Sequence, residues 1–393
     1  MTITGIILLV YFLLGGLYWV AMIRSMRLFV ARTPVLAALD LPMPTDWPRL
    51  SVVVPACNEE AEIEKAAISL LSQDYPDLEV ILVDDRSTDR TPEIIDRLAA
   101  GGPDVKAVHI AHLPDGWLGK VHALDEGLRC ATGRWVLFTD ADVHFAPGML
   151  RKSVAYALDQ KLDHLAAMPQ LWSSGLLVDS AIFSFLRQLV LALRLWKVND
   201  PVAGVFMGVG AFNLVRREAF DRTLGFEWLR LEVGDDVGLA LLMHRHGGRG
   251  GLVSAVGLLG LYWYRNLTQA ARGVEKGFAS VGNCSLLRVV SLSACLLALE
   301  LSMFAAMIPL GLPGAPFAAA AIFAAYLLAA WRTSRWAGTK FVPALLAPVA
   351  AVLMAAMTLR SGILGFLRGG MIWRGTLYPN KLMRNSTKVK FPL

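Results

Sequence analysis

The segment W-V-L-F-T-D-A-D-V, residues 135–143, decides the fold. An apolar run typical of a buried strand is followed at once by two aspartates, Asp140 and Asp142. Because side chains alternate along a strand, the two carboxylates are predicted to project on the same side of the chain where the strand ends. Two carboxylates placed in this way can hold a hard divalent cation, which in turn bridges phosphate oxygens.

Two upstream segments repeat this pattern, S-V-V-V-P-A-C-N-E-E at 51–60 and V-I-L-V-D-D-R-S-T-D at 80–89. Each is an apolar strand that ends in polar and acidic loop residues. Acids at neighbouring strand ends can accept hydrogen bonds from a base and a ribose, although turns and helix caps use the same residue types. The candidate residues are Pro55, Asn58, Glu59, Asp84 and Asp85.

Strand-like and helical stretches alternate from about Leu50 to Arg272. Runs such as 50–54, 79–83 and 135–138 are apolar throughout, which is typical of strands buried on both faces. The alternation therefore predicts an α/β domain with a mostly parallel sheet covered by helices. In such sheets ligands bind beyond the carboxyl ends of the strands.

Two further segments downstream carry candidate chemistry. Lys120 opens a predicted helix in G-W-L-G-K-V-H-A-L-D-E-G, where the helix dipole and the ammonium suit a diphosphate; a solvated lysine at a helix start is the alternative. Asp235 and Asp236 precede an apolar helix in the segment 232–247. They either cap that helix or supply a general base for a hydroxyl proton.

Other patterns do not indicate a site of their own. Gly208 and Gly210 precede a strand-like run, so they are no dinucleotide fingerprint and mark either a bulge or a close approach of backbone to substrate. His244 and His246 are two apart on a predicted helix and do not share a face. The four cysteines form no C-x-x-C pair and are interpreted as reduced: Cys57, Cys130, Cys284 and Cys295.

Composition indicates a membrane protein. Of 393 residues, 55% are hydrophobic and 18% are charged, against about a quarter charged in soluble domains. Residues 301–393 hold ten Lys or Arg and no Asp or Glu, so a net charge of +6 leaves −4 on residues 1–300. Because the positive charge lies between apolar runs, it indicates membrane anchoring and not nucleic-acid binding.

Residues 3–23 carry no charge and are long enough to span the hydrocarbon core, with Arg24 following directly. The excess of arginine after this run places the body in the cytoplasm. Three more apolar segments lie at 289–310, 316–331 and 341–359. Four crossings would put the tail outside, although seven positive charges lie from Arg360 onward, so one segment is predicted not to cross.

Two charged positions inside apolar stretches leave alternatives open. Glu300 is either a lipid-binding or helix-pairing contact, or a protonated glutamate hydrogen-bonded between helices. The stretch 180–198 is predicted to be an interfacial helix, with a buried helix as the alternative. It places four polar residues along one helical side: Arg187, Gln188, Arg194 and Lys197.

The four acidic and basic segments, in this order over about residues 48–285, resemble family 2 glycosyltransferases, which are inverting enzymes with the GT-A fold. The resemblance implies that Asp84 and Asp85 contact the nucleotide and that Asp140 and Asp142 hold Mn²⁺ or Mg²⁺. It also implies that Asp236, beside Asp235, is the catalytic base. Pro55, Asn58, Glu59 and Lys120 would complete the nucleotide-sugar site.

The processive members of the family carry Q-x-x-R-W, and here the matching stretch is Q-A-A-R-G. Gln269 and Arg272 are retained as candidates for the diphosphate, whereas Gly273 replaces the tryptophan. The segment 368–378 and P-D-G-W-L-G-K are more similar to the hopene-associated, carotenoid-type and ceramide-type enzymes, which act on lipids.

We therefore expect an integral protein of a bacterial-type cytoplasmic membrane, with its catalytic domain in the cytoplasm. It would transfer a single sugar, from a nucleotide-sugar such as a UDP-sugar, to a lipid hydroxyl. A processive polysaccharide synthase and a non-catalytic scaffold with a nucleotide-sugar site are the alternatives. The expected domains are an anchor at 1–24, the GT-A domain at 48–285, membrane helices at 286–367 and a basic tail at 368–393.

Overall fold

A computed structural model describes residues 3–280, 282–307 and 314–389, so the last four residues of the basic tail lie outside the described residues. Short 3₁₀ turns lie at Leu36–Ala38, Leu195–Lys197, Phe226–Leu229 and Val274–Lys276. The helices are α1 (Ile3–Arg32), α2 (Ile63–Leu71), α3 (Thr91–Ala99), α4 (Gly119–Cys130), α5 (Met149–Asp159), α6 (Leu176–Leu193), α7 (Arg217–Asp221), α8 (Asp235–Arg245), α9 (Leu267–Gly273), α10 (Gly277–Ser280), α11 (Leu286–Ala306), α12 (Ala315–Trp336), α13 (Phe341–Leu367) and α14 (Asn380–Ser386).

The strands form a large sheet, a small sheet and a hairpin. They are β1 (Leu50–Ala56), β2 (Leu78–Asp85), β3 (Val105–Ile110), β4 (Trp135–Phe138), β5 (His144–Phe145), β6 (His164–Met168), β7 (Gln170–Leu171), β8 (Asn213–Arg216), β9 (Gly250–Ser254), β10 (Leu259–Leu261), β11 (Gly370–Trp373) and β12 (Thr376–Pro379).

Two compact units make up the described chain. The α/β unit comprises Thr33–Trp172 and Lys197–Tyr262. The helical unit comprises Met1–Arg32, Ser173–Trp196 and Trp263–Leu393. The chain therefore leaves the α/β unit after β7, forms α6 within the helical unit, and returns to complete the sheet.

The large sheet lies at the centre of the α/β unit, with strand order β3-β2-β1-β4-β8-β6-β9. Among these strands only β8 is antiparallel to its neighbours, β4 and β6. Every residue of β1 and β4 is buried, because helices cover both faces. The expected α/β class with a mostly parallel sheet is confirmed.

The strand boundaries sharpen the prediction at one point that matters for the site. Asp84 and Asp85 are the last two residues of β2, not loop residues, and their side chains are almost fully buried. The small sheet, β5-β10-β7, lies after β4 in the chain and begins directly beyond Asp142 and Val143.

The helical unit contains long apolar helices. Within the described residues, five helices are long and apolar enough to cross a membrane: α1, α6, α11, α12 and α13. The core of the unit packs Trp19, Met22 and Met26 of α1 against Tyr326 of α12 and Met303 of α11. The segment expected at 289–310 is helical to Ala306, and residues 308–310 lie outside the described residues.

Helix α6 differs from the sequence expectation. It spans Leu176–Leu193, not 180–198, and Arg187 is 2% exposed instead of facing lipid headgroups. Arg187 Nη2 lies 2.5 Å from Glu300 Oε2 of α11, and the Tyr18 hydroxyl donates to the same carboxylate. Of the alternatives for Glu300, the contact with Arg187 supports helix pairing.

Candidate active site

The candidate site lies in the α/β unit at the carboxyl ends of β1, β2 and β4. The sheet register pairs Ala56 with Asp84, so the ends of β1 and β2 are aligned. Val53 pairs with Phe138, which brings the end of β4 beside β1. The loops that carry the predicted acids therefore leave the sheet at one edge.

Hydrogen bonds join the loop after β1 to the loop after β2. Asn58, in the left-handed region at φ 57°, accepts a hydrogen bond at Oδ1 from the Thr88 amide at 2.8 Å. The Glu59 amide donates to the Thr91 hydroxyl at 2.8 Å. Pro55, within β1, precedes this loop. Loop 57–60 is thereby fixed against loop 86–91, which orients Glu59 and Asp85 relative to each other.

Asp84 and Asp85 differ in how their oxygens are used. Asp84 Oδ1 accepts from the Ser87 amide at 3.1 Å, which stabilises the turn after β2. Asp85 Oδ1 accepts from Arg86 Nε at 2.8 Å. Asp85 Oδ2 is buried without a hydrogen-bond partner among the described residues, and a Cβ at Gly119 would overlap it. An N–H or O–H group of a ligand would satisfy this oxygen.

Lys120, in the first turn of α4, joins two of the predicted motifs. Its Nζ lies 2.7 Å from Asp140 Oδ1 and 3.0 Å from Asp235 Oδ2. Burial by itself lowers the pKa of an amine, but the carboxylates of Asp140, Asp235 and Asp236 outweigh it and raise the pKa of Lys120. The ammonium is therefore charged, and it holds α4, α8 and the end of β4 together.

Asp142 lies among like charges. Burial, followed by the carboxylates of Asp140 and Glu59, raises the pKa of Asp142 to about 7. Glu59 comes from the first loop, so three of the predicted acids approach each other. A bound cation would offset this repulsion.

Asp236 is held by backbone amides. Its Oδ2 accepts from the Gly210 amide at 3.0 Å, and its Oδ1 accepts from the Val237 amide at 2.8 Å. Asp236 also lies in the first turn of α8, where the helix dipole favours a carboxylate. A small pocket lies here, and its lining includes Lys120, Asp140, Asp235 and Asp236.

The sequence did not reveal the role of loop 208–212. A Cβ at Gly208 would overlap the Asp236 carbonyl oxygen, and one at Gly210 would lie 2.7 Å from Asp140 Oδ2. Both glycines are therefore required by the close approach of this loop to the acids. The signal in the sequence was two glycines directly before a strand, which was interpreted as an approach to substrate or a bulge.

Gln269 and Arg272 lie in α9, in the helical unit. Gln269 Oε1 accepts from the Arg265 amide at 2.9 Å, and Arg272 is exposed. Their contribution to a diphosphate site stays a prediction. At Gly273 a Cβ would overlap the Tyr264 ring, so the position does not admit a tryptophan unless Tyr264 moves.

Part of the chain is similar to known proteins. Residues 51–224 match the model of glycosyl transferase family 2. Beta-monoglucosyldiacylglycerol synthase of Synechocystis sp. is 32% identical over 247 residues, which cover 61% of this chain and 48% of the relative. The enzyme of the same name from Nostoc sp. is 31% identical over 210 residues, covering 50% and 41%. The chain thus spans about half the length of the curated relatives it matches.

The solved structures support the fold. The mannosyltransferase PcManGT from Pyrobaculum calidifontis, in complex with GDP-Man and Mn²⁺, superposes with a TM-score of 0.51 at 23% identity. The match covers 91% of this chain and 99% of that one.

Proposed function

We propose that this chain, which carries a family 2 glycosyltransferase domain on a GT-A fold, is a membrane-bound inverting glycosyltransferase. It transfers one sugar from a UDP-sugar to a lipid hydroxyl. The observation that carries the proposal is the charge cluster in which Lys120 bridges Asp140 and Asp235, beside an anchored Asp236.

The donor would bind along the carboxyl ends of β1, β2 and β4. Asp84 and Asp85 contact the nucleoside, and the partnerless Oδ2 of Asp85 accepts one of its N–H or O–H groups. Lys120, at the amino end of α4, binds the diphosphate, where its charge adds to the helix dipole. A positive charge here stabilises the leaving diphosphate, an electrostatic effect typically worth several kcal/mol.

The donor set fits Mn²⁺ or Mg²⁺. Among the described residues no group of three or more His, Cys, Asp or Glu side chains could hold a metal by itself. Mg²⁺ sites of this class use one or two carboxylates and complete their shell with substrate phosphates. Asp140 and Asp142 would hold the ion, and the repulsion that raises the pKa of Asp142 would be relieved. When bound, the cation neutralises charge on the diphosphate.

Asp236 would act as the general base. Two amides fix its carboxylate, so it accepts the proton of an acceptor hydroxyl as that oxygen attacks the anomeric carbon from the face opposite the diphosphate. This geometry inverts the configuration. Base catalysis of this kind typically contributes about 10²–10⁴-fold.

A lipid acceptor is supported by two observations. The apolar helices of the helical unit keep the chain in or at the bilayer, where a lipid hydroxyl is available. Two of the matching relatives are named beta-monoglucosyldiacylglycerol synthases, so diacylglycerol is the acceptor we propose. Single transfer is supported by Gly273, where Tyr264 occupies the space of the tryptophan found in processive enzymes.

Membranes containing the full chain, incubated with a panel of nucleotide sugars, test the proposal by mass spectrometry of the lipid extract. We expect one new hexosyl-lipid that depends on a single UDP-sugar. Asp236→Asn and Asp142→Ala should abolish it, whereas Asp221→Asn, an exposed aspartate paired with Arg217, should leave it unchanged. A long polymer would favour a processive synthase, and activity of Asp236→Asn equal to wild type would contradict the assignment of the base.

A further inference from the structure

A chain of hydrogen bonds lies directly behind the loop that holds Asp236. Asn213, the first residue of β8, accepts at Oδ1 from the Val209 amide at 3.2 Å. The same oxygen lies 3.0 Å from Nε2 of His164, on the neighbouring strand β6. Asn213 and His164 are 3% and 2% exposed, so these contacts are shielded from water.

The hydrogen-bond donors determine the orientation of the Asn213 amide and the tautomer of His164. The Val209 N–H can only donate, so the Asn213 atom that faces it must be the carbonyl oxygen and not the amide nitrogen. That oxygen can only accept, so His164 must carry its proton on Nε2. Burial lowers the pKa of His164 to about 4, although the hydrogen bond to Asn213 acts in the opposite direction. The ring is therefore neutral near pH 7.

In loop 208–212, the amide held by Asn213 and the amide that binds Asp236 belong to adjacent residues. The Val209 amide is held by Asn213, and the adjacent Gly210 amide donates to Asp236 Oδ2 at 3.0 Å. On its other side the loop is held by the Thr139 hydroxyl, which donates to the Ala211 carbonyl at 2.8 Å. These two bonds hold the peptide units on either side of the one that carries the Gly210 N–H, and the Val209 carbonyl of that unit accepts from the Phe212 amide at 2.8 Å.

We propose that Asn213, held by His164, is a positioning residue that sets the orientation of the Asp236 carboxylate through the Val209 and Gly210 amides. The inference rests on the proposed function, because it concerns the residue assigned there as the base. Asn213 is among the residues that line the pocket with Lys120 and Asp236, and His164 lies behind it. Neither is one of the acids or the lysine of that pocket. Both act through the loop.

The test compares variants of the full chain in detergent, with UDP-glucose and dioleoylglycerol as the probes. Asn213→Leu removes the acceptor oxygen, and kcat should fall about 10- to 100-fold, while the KM for UDP-glucose stays within about 3-fold. Asn213→Asp presents the same acceptor oxygen and should keep kcat within about 3-fold of wild type. His164→Ala leaves the Val209 bond in place and should lower kcat less than Asn213→Leu.

UDP binding by calorimetry shows whether each variant is folded. Asn199→Ala is the matched control, because that asparagine also pairs with backbone, at Leu252, but away from the site. Wild-type kcat in Asn213→Leu, or equal losses in the Leu, Asp and Asn199→Ala variants, would overturn the proposal. If Asn213→Leu does not bind UDP, His164→Ala decides: wild-type kcat there overturns it. Full activity in Asp236→Asn would instead refute the proposed base.

Discussion

Lys120 places a positive charge among the carboxylates of the site. It forms ion pairs with carboxylates from two motifs that are almost 100 residues apart in sequence, Asp140 and Asp235. Without it, the carboxylates of the site would repel each other and an anionic ligand such as the proposed diphosphate. The lysine therefore both assembles the site and prepares it for an anion.

Lys120→Met should lower the transfer rate by at least about 100-fold and weaken UDP binding, because the positive charge at the diphosphate position is lost. Calorimetric UDP titration and a lipid product assay measure the two effects. Lys106→Met is the matched control, since Lys106 bridges Glu79 at 2.9 Å on the side of the sheet where the strands begin. Equal losses in both variants would show that Lys120 acts through stability alone.

The raised pKa of Asp142 makes the stability of the folded protein depend on pH. Its pKa in the folded, metal-free protein is about 7, raised by burial, Asp140 and Glu59. Since the unfolded value is about 3.9, the folded state binds more protons between about pH 4 and 7. The contribution of this group to stability is therefore present below about pH 4 and is lost as the pH rises through 7.

We expect the midpoint of thermal unfolding in EDTA to fall from pH 5 to pH 8 by more in wild type than in Asp142→Asn. Adding Mn²⁺ should stabilise wild type mainly at the higher pH, because the carboxylate must lose its proton to bind the ion. Identical pH profiles for wild type and Asp142→Asn would contradict the raised pKa.

For single residues, the sequence predicted which acids lie in the site but not which hydrogen bonds position them. Asp140, Asp142 and Asp236 were found from acids at strand and helix ends, a local pattern. The Gly210 amide and Asn213 were missed because a backbone donor has no residue signature and an asparagine at a strand start is common. Their roles depend on the approach of loop 208–212 to α8, which is a tertiary contact.

At the scale of elements, the helical unit is tied by one buried ion pair. Arg187 of α6 and Glu300 of α11 are both almost fully buried, and the Arg187 guanidinium lies 5.3 Å from the centre of the Trp19 ring of α1. Three helices thus meet at one charge pair. Removing one partner leaves the other buried and unpaired, which typically costs about 3–5 kcal/mol.

Arg187→Met and Glu300→Gln should each lower the unfolding temperature of the detergent-solubilised protein, whereas the double variant Arg187→Met with Glu300→Met should recover much of the loss. The control is Arg360→Met, which breaks a half-exposed pair with Glu275 and should cost about 1 kcal/mol or less. A double variant as unstable as the sum of the singles would argue against charge pairing as the cause.

The same ion pair explains why the sequence of 180–198 did not predict that Arg187 is buried. A helical side with Arg187, Gln188 and Arg194 indicates a polar face, and at an interface such a face points to headgroups. Here Arg187 instead points inward, because Glu300, more than 100 residues later, neutralises it. A sequence pattern along one helix does not contain that partner.

For the whole molecule, the path of the chain constrains how α6 meets the bilayer. Helix α6 is long and apolar enough to cross, yet β6 before it and β8 after it are neighbours in one sheet. A single crossing would place two paired strands on opposite sides of the membrane. We therefore predict that α6 begins and ends on the same side of the membrane, as an interfacial helix would.

The basic tail is constrained in a similar way. Arg360 and Arg368, at the end of α13, pair with Glu275, which precedes α11. No described helix between Tyr262 and Glu275 is long enough to cross a bilayer. We therefore predict that the end of α13 lies on the same side of the membrane as Glu275, in line with the expectation that one of the apolar segments does not cross.

Cysteines introduced at Ser174, Asp200 and Arg374, in a chain with its native cysteines replaced, test both statements. In sealed inverted vesicles, all three should react with an impermeant maleimide at the same side. Thr2→Cys serves as the control, because the expected crossing by residues 3–23 predicts that it is protected. Protection of Asp200 alone would show that α6 crosses.

The excursion through α6 also has a consequence for synthesis. Strand β8 joins the β3-β2-β1-β4 half of the sheet to the β6-β9 half, and it follows α6 in the chain. The ribosome must therefore deliver an apolar helix before the sheet can close, and until β8 and β9 follow, β6 and the edge of the β3-β2-β1-β4 half lack their partner strands. The order of the segments makes early contact with the bilayer, or with a chaperone that shields those edges, a condition for high yield of this protein.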